Sequence, residues 1–166
     1  MQKKQDYTIS VPVYAYAKKI LQKHFGDTLS KNHLQYDFFI AVGNLSAPIF
    51  QVSKTKNANI PISSNNITPI DMLEVQTKIP GYTIHLLSLY RKEDIAHSLA
   101  TILNKQAKEI LRAVVEFNFK NYPTKTKACQ EIFKYFQIEE DELSLRNYLD
   151  DFYKTKYREN SKISKT

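Results

Sequence analysis

From Glu93 to about Lys120 the chain repeats apolar residues at a helical period. Ile95, Leu99, Ile102, Leu103, Ile110, Val114 and Phe117 share one face. The run must end before Pro123, which has no amide N–H and disrupts the turn before it. One long amphipathic helix therefore dominates the second half of the chain. Two shorter helices follow. The first spans about Lys125 to Gln137 and buries Ala128, Ile132 and Phe136. The second carries Leu145, Tyr148, Leu149, Phe152 and Lys156 on one face, with the Lys156 stem rather than its charge against the core. Leu99, Leu103, Ile110 and Ile132 are expected in the core.

The first half reads differently. Tyr7 to Val11 alternates like a strand, and Pro12 suggests a nearby helix start with Ser10 as its cap. Val13, Tyr16, Ala17, Ile20, Leu21 and His24 continue at helical spacing to Gly26, with Lys18, Lys19 and Lys23 on an exposed face. Residues 33–52 fit either a short helix or a buried strand, and 53–69 read as a long loop. Leu73, Val75, Thr77 and Ile79 then alternate, Pro80-Gly81 suits a turn, and Tyr82 to Tyr90 reads as the returning strand of a hairpin that joins the Tyr7–Val11 strand in a small sheet.

With only three glycines in 166 residues, a loop-rich all-β fold is disfavoured. The expected class is α+β: a small antiparallel sheet of about three strands with an N-terminal helix, then a C-terminal helical bundle. Residues 1–92 form the α/β portion, 93–158 the helical portion and 159–166 a flexible tail, all as one compact domain. Cys129, the single cysteine, rules out an intrachain disulfide and reads as a small core residue. No apolar run reaches membrane-spanning length, and Met-Gln-Lys-Lys-Gln-Asp lacks a signal-peptide core. A cytoplasmic protein without a membrane partner is expected.

Catalytic patterns are sparse. The glycines are isolated, so no phosphate-cradling loop is present. His24, His33, His85 and His97 have no metal-ligand spacing, and neither a nuclease Glu-x-Lys step nor a relaxase His pair occurs. No catalytic residue, metal or cofactor is expected. An enzyme assembled from dispersed residues such as His85, His97 and Asp94 is the least favoured class. The acidic run Glu139 to Glu142 is expected to complement the positive end of the last helix.

The formal net charge of +7 gathers at the two ends: residues 1–26 and 152–166 each balance at +4, whereas 121–151 balance at −3. Basic ends suit nucleic acid or simply solubility. The segment 125–158, helix, acidic break and helix, has the outline of a helix-turn-helix reader. In that arrangement Arg146 and Asn147 reach base edges, Lys154, Lys156 and Arg158 pair with phosphates, and Tyr157 stacks or covers sugar. Asp150 and Asp151, midway along the same outward surface, would repel phosphate.

The strand, the helix start Val11-Pro12-Val13, the helix end Phe25-Gly26, the stretch Ile132 to Glu142 and the tail Tyr153-Lys154-Thr155-Lys156-Tyr157-Arg158 resemble an uncharacterised group of small proteins from phages and mobile elements of AT-rich bacteria. The resemblance covers the two ends of the chain and implies no particular activity. The leading expectation is a non-enzymatic nucleic-acid-associated accessory or regulatory protein. Its rival is a protein–protein interaction or assembly module in which helix 93–120 meets a partner or a second copy.

Overall fold

A computed structural model describes the backbone of residues 4–26, 68–80, 85 and 87–163, and the side chains of 7–26, 68–76, 85 and 87–154. The expectations for 33–52, for nearly all of the 53–69 loop and for a turn at Gly81 lie outside the described residues. The described elements are β1 (Lys4–Tyr14), α1 (Ala15–Phe25), β2 (Ile70–Pro80), α2 (Lys92–Asn118), a short 3-10 turn (Phe119–Asn121), α3 (Lys125–Phe136) and α4 (Leu145–Ile163). The protein is α+β, with an antiparallel sheet, a helix directly after the first strand, and a helical region behind.

Among the described residues the sheet has two strands. Its register pairs Ile9 with Val75 and Val11 with Leu73, so alternation places these side chains, with Val13, on one buried face. The opposite face presents Met72 beside Pro12 and Ile70 beside Tyr14, with both apolar β2 side chains exposed.

Two local expectations are corrected here. Pro12 lies inside β1 rather than at a helix start, and Ser10 caps nothing. A proline is tolerated at a strand position that needs no ladder N–H. Helix α1 instead follows Tyr14 directly, and its first amide, Ala15 N, donates to Pro69 O at 2.8 Å. The second correction concerns the hairpin. The partner of β2 is β1, and the supposed returning strand is not extended where it is described. His85 and Leu87 are helical, and Tyr90 N donates to Leu87 O at 3.1 Å. Alternation in β2 was a true strand signal, and its pairing with the Tyr7–Val11 strand, more than 50 residues upstream, is as expected.

Helix α2 packs against β1, α1 and α3. Its buried row is Ile95, Leu99, Leu103, Ala107, Leu111 and Val115, widened by Ala96 and Ala100. Spacing by four drifts about 40° per step around an α-helix, so the stripe winds from the sheet towards the later helices. Phe117 falls away from this row and is 82% exposed, correcting its place on the apolar face. Ile110 is only partly buried, while Leu99, Leu103 and Ile132 are in the core as expected.

Helix α3 begins at Thr124, whose side-chain oxygen accepts from Lys127 N. It ends in a Schellman motif: Gln137 is left-handed at φ 58°, Gln137 N donates to Lys134 O, and Ile138 N donates to Phe133 O. Helix α4 then runs to Ile163, so residues 159–163, expected in a tail, belong to it.

Candidate nucleic-acid interface

A groove of about 510 Å³ opens between α2 and α4. Helix α2 contributes Lys105, Lys108 and Arg112 at spacings of three and four, which place them along one side of a helix. Helix α4 contributes Asn147, Asp150, Asp151 and Lys154 by the same periodicity. Tyr16, Leu111, Leu143, Tyr148 and Phe152 make the apolar part of the lining.

Four cations and three carboxylates (Glu109 is the third) therefore share this lining. Lys105 Nζ reaches Glu109 Oε1 only at 3.9 Å, and Arg112 Nε donates to Glu116 Oε1 at 3.3 Å. The Arg112 guanidinium also lies 5.8 Å from the centre of the Phe152 ring. No ion pair among the described residues engages Lys108 or Lys154. Beside the groove, Lys125 Nζ sits 5.1 Å from the Tyr153 ring centre and 5.4 Å from that of Phe119, and Tyr153 is about half exposed.

The lower wall is tightly packed. Tyr148 packs edge-on to Phe133, with centroids 5.4 Å apart, and its hydroxyl is buried without a hydrogen-bond partner among the described residues. Burial, chiefly, pushes its phenol well above the ordinary tyrosine range. The Tyr16 phenol is pushed up to about 12 by burial and by Tyr14. Both phenols are neutral at physiological pH.

Of the residues expected to touch nucleic acid, the groove brings together Asn147 and Lys154. Arg146 is exposed in the first turn of α4 but does not line the groove. Lys156, Tyr157 and Arg158 lie within α4, and their side chains are outside the described residues. Asp150 and Asp151 do sit on the surface shared with Lys154. The connection between α3 and α4 runs from residue 137 to 144, longer than the three- or four-residue turn of a helix-turn-helix. The cations of α2 were missed, although their spacing of three and four was visible in the sequence.

The acidic run divides its work. Glu140 Oε2 accepts from Leu145 N at 3.3 Å, at the start of α4, whereas the nearly buried Glu142 turns back to α1 and accepts from Lys19. Lys19 is therefore an interhelix contact rather than a solvated face. Asp94 pairs with Arg91, and His97 Nδ1 contacts Glu93 O at 2.7 Å. Among the described residues no three His, Cys, Asp or Glu side chains gather as a metal site, and no helix is long and apolar enough to cross a membrane. Comparison with known proteins gives no match to any family model, curated protein or solved structure.

Proposed function

We propose that this is a non-enzymatic, nucleic-acid-associated accessory or regulatory protein that holds a polynucleotide along the α2–α4 groove. The resemblance of its two ends suggests a phage or mobile-element setting. The observation that carries the reading is the convergence of Lys105, Lys108 and Arg112 from one helix and Lys154 from another on a single concave surface. Lysines so placed meet successive phosphates, and each contact releases counterions. Replacing Lys105, Lys108 and Lys154 together by Ala should weaken nucleic-acid binding broadly across sequences; unchanged affinity would refute the groove as the interface.

A second reading has its own support. Phe117 is a large apolar side chain 82% exposed near the C-terminal end of α2, a position that a protein partner or a second copy would cover. If this governs assembly, Phe117→Ser should reduce self-association in sedimentation and leave nucleic-acid affinity unchanged.

A further inference from the structure

We infer that the groove receives an unpaired nucleotide of a single-stranded nucleic acid, base inward and phosphates on the rim, rather than the outside of a duplex. The inference rests on the nucleic-acid reading above and specifies its substrate class. A purely electrostatic duplex surface needs cations without interleaved carboxylates, yet Asp150 shares the wall with Lys154. Phosphates running along that wall would meet like charge. A splayed strand avoids the conflict, because its phosphates and its base edges can be directed to different groups. Lys105 and Lys108 stand on the opposite helix for the phosphates. Leu143 and Tyr148, only partly buried, leave apolar surface in the lining against which a base face can lie, above the closed packing of Leu111 and Phe152. The volume of about 510 Å³ falls within the ~300–1,000 Å³ of pockets that enclose small organic groups. In a duplex the base faces are stacked away and cannot reach such a surface.

The wall also offers a rule for which base. Asn147 and Asp150 are three residues apart on α4 and both line the groove, so a carboxylate and an amide oxygen lie on one side of the helix. The carboxylate only accepts hydrogen bonds, whereas the amide accepts through its oxygen and donates through its nitrogen. Cytosine presents an exocyclic amine to a carboxylate, whereas the ring N–H of thymine lies between two carbonyl oxygens that repel it. Asp150 therefore favours an amine-bearing base.

The test is fluorescence anisotropy at neutral pH and low salt with labelled oligo-dC, oligo-dT and a duplex of equal length. Oligo-dC should bind tighter than oligo-dT by at least about fivefold, the low end for a good base contact, and tighter than the duplex. Asn147→Ala should weaken oligo-dC binding without altering its salt dependence, since every phosphate keeps its cation. Asp150→Asn, whose amide can donate to thymine, should narrow the gap between the two strands. Equal affinity for duplex and single strands, or equal affinity for the two strands with Asn147→Ala silent, overturns the inference. In that case the groove reading survives if the triple lysine variant still loses affinity. Absence of binding to all three probes overturns both.

Discussion

Lys19 Nζ lies 2.7 Å from Glu142 Oε2, joining the first helix to the turn before the last one. The same ammonium donates to Gln137 O at 2.6 Å, and the same carboxylate oxygen accepts from Glu139 N at 3.0 Å. One ion pair thus closes the end of α3, fixes the connecting turn and fastens both to α1. Glu142→Ala removes the acceptor for Glu139 N and for Lys19 at a buried position, and should cost roughly 1–3 kcal/mol in chemical denaturation. The Lys19 side chain is about one-third exposed, so solvent screens the charge term. A double-mutant cycle with Lys19→Met and Glu142→Gln should give a coupling of about 0.5–1 kcal/mol. Strictly additive single effects would mean that the pair contributes little.

The winding of the buried stripe on α2 separates two apolar residues that a simple helical wheel groups together. Leu111 is fully buried, and Phe117 is 82% exposed. Leu111→Ala should therefore destabilise by about 2–5 kcal/mol. Phe117→Ala should stay within about 0.5 kcal/mol of wild type, as surface substitutions usually do. Comparable losses of denaturant midpoint in the two variants would contradict the assigned face.

Alkaline pH should weaken the fold. Burial pushes the Cys129 thiol from 9.0 up to about 11 and, with Tyr14, the Tyr16 phenol from 10.0 up to about 12. Each group is held neutral in the folded state and ionises earlier in the unfolded chain. Their stabilisation is complete below pH about 9 and is lost as pH rises through the window to about 12. The Tm should fall across that window, and Cys129→Ala should make the fall shallower. A Tm independent of pH between about 8 and 11 would contradict the burial of these groups.

Much of the helical half was legible because period and breaker agree locally. Pro123 closes the long helix run, and Ala128, Ile132 and Phe136 mark the buried face of the next helix. The sheet was legible in part: β1 joins β2 as expected, but the expected returning strand is helical at His85 and Leu87. Alternation identifies a strand but not what it pairs with. Pro12 misled because a proline suits a strand edge as well as a helix start. Of the groove lining, Asn147 and Lys154 follow from the outward face of α4, whereas the contribution of α2 depends on how the two helices pack. Gln137, the left-handed residue that ends α3, gave no sequence warning, because glycine or asparagine usually marks that position.

The salt dependence of nucleic-acid binding by the wild type and by the Lys105→Ala, Lys108→Ala, Lys154→Ala variant tests the central claim most directly. Affinity for a single-stranded oligonucleotide should fall linearly on a log–log plot as salt rises. The variant should bind more weakly with a shallower slope, by about 0.7 for each lysine–phosphate pairing removed from a single strand, or about 2 if all three lysines engage. A wild-type affinity that does not vary with salt, or a variant with unchanged affinity and slope, would contradict the α2–α4 groove as a phosphate-binding surface.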